Sequence, residues 1–362
     1  MNLKKTAKSW LRQLLIGAAL SLGGLAFALL LFEVGIRLLA KDTPEQWHDR
    51  PKYFYLPQNA KDQRAQTHLK QKPANTFRIA VVGDSFSFGP FLQFDDTFSR
   101  RLERMLNLRD TPKKVEVINY GVPGYSTVHE IKTVESAIRD EGADLVLLQI
   151  TLNDAELKPY RPTGITIETN KYGAAILREE MPWILKYWHS GQFIYRLWNA
   201  NQKQSEYIKY FHELFEKYRS RESFKSSIIR IRDFCKKEGI PLYAVVFPLL
   251  GTPLDESYPF NSIHTRIHHT LERAHIFYLD LLNEYRGIPV ERLQVMPGED
   301  FHPNEIAHRM AAEAIYRWLA LDNFLPEELQ IGRVLRRRDH IVQCDNSVEC
   351  CEPTFTELKD IE

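Results

Sequence analysis

The chain has 362 residues, 44% of them hydrophobic and 26% charged, with 48 Lys and Arg against 47 Asp and Glu. A net charge of +1 implies no general attraction to nucleic acid, and four cysteines are too few for a disulfide scaffold. What remains is a globular chain long enough for one large or two small domains.

The first element is a helix of membrane length. Leu14 to Phe32 carries no charge and only one serine among its polar residues. As a helix this run spans about 28 Å, close to the hydrocarbon thickness of a bilayer. Lys4, Lys5, Lys8 and Arg12 precede it, so the positive-inside rule leaves residues 1–13 in the cytoplasm and sends the rest outward. Glu33 and Arg37 follow at i, i+4 spacing, where they can pair at the outer interface. A cleaved signal peptide is the alternative; its apolar region is usually shorter, and Ala26-Phe27-Ala28 lies deep in the run for a cleavage site. The expectation is an uncleaved anchor over 14–40 in a single-pass membrane protein whose main domain is extracytoplasmic, in the periplasm. Gly17 and Ser21, or Gly24 and Ala28, have small-xxx-small spacing for helix packing.

Residues 41–74 are polar and interrupted by Pro44, Pro51, Pro57 and Pro73, with Trp47, Tyr53, Phe54 and Tyr55 interleaved. They read as a linker that packs partly against the domain or the membrane surface. The chain shows no internal repeat.

A domain over 75–325 follows, opening on FRIAVVGDSFSFG at Phe77 to Gly89. Ile79 to Val82 reads as a buried strand that ends at Gly83-Asp84-Ser85. The next clear helical pattern starts near Asp96, with Phe98, Leu102, Met105 and Leu106 on one face and Asp96 or Thr97 as N-cap. Val115 to Asn119 is a second strand, ending in the glycine turn Tyr120-Gly121-Val122-Pro123-Gly124. Thr127 and Glu130 have capping-box spacing for the next helix. Leu145 to Ile150 is a third strand, ending in Thr151-Leu152-Asn153-Asp154. Strands alternating with helices at this spacing imply a parallel sheet with right-handed crossovers.

Residues 155–221 interrupt this rhythm. Ile165 to Ile176 reads as a hairpin turning near Asn170-Lys171. Trp183 to Trp198 is rich in rings and reads either as a helical cap that buries them against the sheet domain or as a lid over the strand ends. The rhythm resumes with a helix over Ser223 to Lys237, a strand over Pro241 to Phe247, a helix over Ile263 to Ala274 and a short strand over Ile276 to Leu279. Pro303 is placed at the first position of the last long helix, which leaves His302 on a short loop at its start.

Four blocks thus occur in order: Gly83-Asp84-Ser85, a glycine turn at Gly121, Asn153-Asp154, and Asp300-Phe301-His302. In these the chain resembles the SGNH hydrolases, the GDSL-type esterases, from about Phe77 to Leu321 outside the insert. The resemblance implies a three-layer α/β/α flavodoxin-like fold with a parallel five-stranded sheet, beside the N-terminal transmembrane helix. It implies Ser85 as nucleophile, His302 as its base, and an oxyanion hole from the Gly121 N–H, the Ser85 N–H and the Asn153 side chain. The chemistry is coherent in itself. Serine needs a base to take its proton, imidazole titrates near neutral pH, and a carboxylate fixes the imidazole tautomer. An N–H at a glycine turn and an asparagine amide meet the oxyanion without bringing a charge. Asp84 and Asp154 read as structural. Two positions depart from the pattern: Thr151 stands where the family usually has glycine, and both Glu299 and Asp300 are open as the acid, Asp300 favoured.

His264, His268 and His269 put two histidines at i, i+4 on a helix, with no carboxylate at the usual spacing, and no metal is expected. His308 reads as packing. Cys344, Cys350 and Cys351 lie in a polar tail over 326–362, where one disulfide or free thiols are both open. Arg333 to Arg338 reads as a solvated basic run. The expected activity is hydrolysis of a small-molecule or glycan-linked acyl ester through an acyl-enzyme on Ser85. It needs no cofactor, and its partners are the substrate and the membrane. Two alternatives stay open: O-acetyl transfer to an envelope polysaccharide, and non-catalytic glycan binding.

Overall fold

The computed structural model describes residues 3–39, 68–108, 111–158, 165–169, 175–179, 182–297, 300–321 and 324–330. The expectations for 41–67, for the hairpin turn at Asn170-Lys171, for Glu299, for Arg333 to Arg338 and for Cys344, Cys350 and Cys351 fall outside them.

Helix α1 (Leu3–Leu39) is continuous over 37 residues. Its stretch from Arg12 to Leu38 is long and apolar enough to cross a membrane. The large apolar side chains along it are exposed, from Leu14 through Leu38. The expected pair is present, with Arg37 Nε donating to Glu33 Oε1 at 2.7 Å.

The domain is built on β1 (Thr76–Gly83), whose eight residues are all buried. It continues as a one-turn helix α2 (Ser85–Phe88), then α3 (Phe98–Leu106), β2 (Lys114–Gly121), α4 (Thr127–Arg139) and β3 (Leu145–Ile150). The hairpin β4 (Ile165–Thr169) and β5 (Ala175–Glu179) is antiparallel, as the sequence pattern implies. A 28-residue helix α5 (His189–Glu216) follows, then α6 (Tyr218–Glu238), β6 (Leu242–Val246), α7 (Asn261–Arg273), β7 (Phe277–Asp280), the short α8 (Leu282–Tyr285), β8 (Gln294–Met296), β9 (Asp300–Pro303) and α9 (Glu305–Leu321). The five-stranded sheet has the order β2-β1-β3-β6-β7 and every pairing in it is parallel. This is the doubly wound, flavodoxin-like order. Helices α3 and α9 pack together on one face, and α4, α6 and α7 pack on the other. Burial on both faces explains why β1 and β3 read as continuous apolar runs rather than as alternating ones.

The order reverses between β1 and β3, the place beyond the carboxyl ends of the strands at which open α/β sheets bind ligands. The register sets Gly83 beside Gly121, so the turns after β1 and β2 leave the sheet together. Arg78, fully buried in β1, donates to the carbonyls of Leu69, Lys70 and Glu141 and to Glu116 Oε2, pinning residues 69–70 to the sheet.

Several local expectations need correction. The capping box of α4 is Ser126 with His129, not Thr127 with Glu130. Thr127 instead donates to Asp154 Oδ1 at 2.9 Å, and Glu130 is buried with neither carboxylate oxygen bonded. Pro303 does not open the last helix. It ends β9, and Asn304 Oδ1 caps α9 by accepting the N–H groups of Ile306 and Ala307. Helix α5 is far longer than the ring-rich stretch suggests, because its second half carries Phe211, Leu214 and Phe215 into the core. The rings at its start are not buried: Trp183, Tyr187 and Trp198 are 77%, 80% and 79% exposed. A cap that buries them against the sheet domain does not describe them.

Candidate active site

The site begins with the exit from β1. A Cβ on Gly83 would lie 2.2 Å from Gln149 Oε1, so glycine is required by close approach. That oxygen accepts the Asp84 and Ser87 N–H groups at 3.1 Å each and the Ser87 hydroxyl at 2.8 Å, which fixes the turn. Asp84 then caps α2, its Oδ1 accepting the Phe86 N–H at 2.8 Å. Ser85 is thereby held as the first residue of a helix at the end of β1, partly open to solvent.

His302 comes from a different part of the chain. It lies on β9, which pairs with β8, so a small strand pair rather than a helix start orients it. Its Nε2 is 2.9 Å from Ser85 Oγ, and its Nδ1 is 2.6 Å from Asp300 Oδ1. The same Asp300 oxygen accepts the His302 backbone N–H at 2.9 Å. With Asp300 ionised, Nδ1 carries the proton and Nε2 is left to accept from the serine; this tautomer is assigned from the bonding pattern. Phe86 packs on the imidazole, ring centroids 5.6 Å apart. Burial among these groups lowers the His302 pKa, but the charge and hydrogen bond of Asp300, with a further push from Asp84, outweigh it and carry the net shift upward. The side chain keeps 32% of its surface open, so desolvation is only partial.

Thr151 explains its own departure from glycine. Its backbone is extended, with φ −124° and ψ 177°, a conformation any residue adopts. Its hydroxyl lies between Asp84 Oδ2, at 2.8 Å, and Asn153 Oδ1. The threonine therefore ties the Asn153 amide to the turn that carries Ser85. Asp154 accepts the Thr151 N–H at 2.6 Å, and both aspartates next to the candidate site serve as loop braces.

Gly121 stands differently from the expectation. A Cβ there would come 2.5 Å from the Phe88 nitrogen, so the position must be glycine, but its N–H donates to Asn119 Oδ1 at 2.9 Å. That donor is engaged within its own strand. Within the same turn, Gly124 N–H has no bond among the described residues. Sequence spacing marked the turn but not which N–H it leaves open.

One other histidine cluster emerges. His264 Nδ1 and His268 Nε2 lie 2.7 Å and 2.6 Å from the same Asp280 oxygen. The carboxylate that the sequence did not show beside this pair is supplied by the end of β7. Among the described residues these are the donors close enough to meet one cation, lying within 4.8 Å of one another. Both rings are at hydrogen-bond distance from the carboxylate, so protons alone satisfy the contact. His308 packs as expected: its Nδ1 accepts the Phe98 N–H at 3.0 Å and its ring stacks on Phe98.

No protein-family model matches the chain, and no curated protein matches it. Among solved structures it is similar to a protein assigned to the lipolytic G-D-S-L family from Desulfitobacterium hafniense, at 13% identity over 66% of this chain and 98% of that one, with a TM-score of 0.38. It is similar also to a lipase/acylhydrolase from Enterococcus faecalis, at 12% identity over 67% and 95%, TM-score 0.39. A psychrotrophic esterase from Pseudoalteromonas gives 12% identity over 67% and 98%, TM-score 0.38.

Proposed function

We propose that the chain is a serine ester hydrolase of the SGNH type, anchored to a membrane by α1. The observation that carries this reading is the unbroken relay from Ser85 Oγ to His302 Nε2 and from His302 Nδ1 to Asp300 Oδ1, at 2.9 and 2.6 Å. The four sequence blocks that resemble that family supply the residues of this relay and of its surroundings.

In this reading His302 takes the Ser85 proton as Oγ attacks the ester carbonyl, and Asp300 stabilises the imidazolium. The imidazolium returns the proton to the leaving alkoxide, and water repeats the sequence on the acyl-enzyme. The amide of Asn153, braced by Thr151, donates to the oxyanion, joined by Ser85 N–H at the start of α2 and by an N–H of the glycine turn. With Gly121 N–H held by Asn119, the open donor of that turn is at Gly124. A small-molecule or glycan-linked acyl ester suits the half-open cleft. The Lys and Arg residues before the apolar run of α1 support a catalytic domain outside the cytoplasm, in the periplasm.

The test is labelling of the full chain, in detergent, by a fluorophosphonate probe, with the modified residue located by mass spectrometry. Labelling at Ser85 that disappears in Ser85→Ala and falls sharply in His302→Ala is the expected result. A folded chain that takes no label at Ser85 would sink the reading in favour of a binding protein.

A further inference from the structure

Among the described residues, most of the ring-rich stretch before and within the start of α5 is left uncovered. Trp183, Ile184 and Tyr187 are 77%, 60% and 80% exposed, and Phe193 and Ile194 are 44% and 47% exposed. So many large apolar groups left open within a few residues mark an interaction surface. The stretch is also well organised. Trp183 to Tyr187 forms a turn of 3-10 helix that folds back on α5: Leu185 and Trp188 cover Gly191, where a Cβ would come within 3 Å of both side chains. Gln192 Nε2 closes the fold by donating to the Leu185 carbonyl at 2.8 Å.

What fixes this stretch in space is the outer end of α1. Glu33 accepts the N–H groups of His189 and Ser190, at 3.1 and 2.7 Å, and so caps the first turn of α5. Arg37 Nη2 donates to the Tyr187 carbonyl at 3.0 Å, and Phe32 meets Phe193 edge-on at 6.4 Å. Phe32 is the last residue of the uncharged run, and Glu33 the first charge after it. The clamp therefore joins the exposed rings to the level at which α1 would leave the hydrocarbon. Tryptophan and tyrosine concentrate at that level in membrane proteins, where an apolar ring with one polar edge suits the headgroup layer.

We infer that residues 183–194 form a membrane-docking surface whose occupant is the headgroup layer of the outer leaflet around α1. This inference rests on the reading of α1 as a membrane anchor. It gives the clamp a purpose: a hinge at the membrane surface would let the domain swing, whereas rings seated in the headgroups hold it in one attitude. Helix α5 runs on from this surface to Tyr207, which lies against Gly251 next to Phe301 of the candidate site. From Phe193 to Tyr207 is about 20 Å along the helix axis. The same helix therefore links the docked rings to the neighbourhood of the candidate site.

The experiment uses the full chain reconstituted in phosphatidylcholine vesicles containing a lipid brominated near the headgroup, which quenches nearby tryptophan. The wild-type emission should be quenched, and Trp183→Phe/Trp188→Phe should lose at least about a third of that quenching, since its interfacial rings are gone. Trp318→Phe, on α9, should lose none. Thermal melting of each variant shows that it is folded. A double variant quenched as strongly as wild type would overturn the inference, and dimers trapped by crosslinking would then name a second copy as the cover. Carbonate extraction separates this failure from that of the anchor. A chain released from the vesicles at high pH sinks the anchor and the docking together, whereas a retained chain without ring-dependent quenching sinks the docking alone.

Discussion

Two histidine–aspartate arrangements stand at the carboxyl ends of one sheet, and only one of them faces a nucleophile. Beyond the interior strand β1, His302 gives Nδ1 to Asp300 and Nε2 to Ser85. At the edge strand β7, His264 and His268 both turn to one oxygen of Asp280, whose other oxygen takes the Leu282 N–H at 2.8 Å. The remaining nitrogen of His264 is buried with no partner among the described residues. The contacts to carboxylate are almost the same length in the two places. What differs is the far side of the ring. A charge pair whose second nitrogen meets a half-open serine can move a proton to and from a substrate; one with no nucleophile at hydrogen-bond distance among the described residues holds β7 to α7.

The sharpest way to break this comparison is to exchange the damage. Ser85→Ala should lower hydrolysis of a model ester on the order of 10⁶-fold, the scale seen when a triad nucleophile is lost. Asp280→Ala should leave the rate within about threefold, because it touches none of these groups. Asp300→Asn comes next, at about 10⁴-fold in kcat, since an amide favours the wrong imidazole tautomer. It should also move the pH profile. Asp300 raises the His302 pKa above its ordinary 6.5, so the wild-type rate falls as the pH drops through that raised value. In the variant the inflection should shift to lower pH. An unshifted inflection would mean that another acid, with Glu299 next in line, sets the basicity of the ring.

The contrast also marks how far the sequence could be read. The strands and the four blocks were legible because buried parallel strands give uninterrupted apolar runs and because turns at their ends need glycine and small polar residues. The partner of His302 was narrowed to two neighbours in sequence, and the geometry brings one of them, Asp300, to Nδ1. Asp280 was invisible as a partner of His264 and His268 because it lies on the next strand, and only the βα packing brings it to the helix. Arg78 was hidden for a similar reason: its charge is paired with Glu116 on the neighbouring strand, and its remaining donors go to the carbonyls of Leu69, Lys70 and Glu141. The engagement of Gly121 N–H depends on where the Asn119 side chain turns, which spacing does not encode. The position of Tyr187 and of the start of α5 is held by Glu33 and Arg37 of α1, an element far away in sequence.

Smaller effects sharpen the two arrangements further. Asn153→Ala should cost about 10²–10³-fold in kcat with little change in KM, as loss of one oxyanion donor does. A loss in KM instead would place the amide on the ground-state substrate. At the edge strand, burial works to raise the Asp280 pKa, but the hydrogen bonds from His264 and His268 prevail and hold it well below its ordinary 3.8. The native state therefore gains its full stability from the ionised carboxylate above the unfolded value of 3.8 and loses it progressively as the pH falls from there through the lowered folded value. Asp280→Asn should cost about 3 kcal/mol at pH 7, read from chemical denaturation of the solubilised chain, with the deficit shrinking as the pH falls below about 4.

The smallest effect concerns a carboxylate that has found neither kind of partner. Glu130 lies fully buried in α4, with both oxygens unbonded, near Asp154 and Asp84. Burial first, and then those two like charges, push its pKa well above 4.5, so the folded chain keeps a proton there that the unfolded chain gives up. For an acid with a raised pKa the sign is opposite to that of Asp280: its contribution is intact below 4.5 and is lost as the pH rises toward the folded value. Glu130→Leu removes this titration and leaves an apolar side chain of similar size. The variant should be close to wild type at pH 4.5 and more stable by about 1–2 kcal/mol at pH 7, a gain of several degrees in Tm at most. A variant less stable than wild type at pH 7 would show that Glu130 is ionised and paired in the native protein. Its place beside Asp154 would then make it a brace of the Asn153 turn, not a neutral filler beneath it.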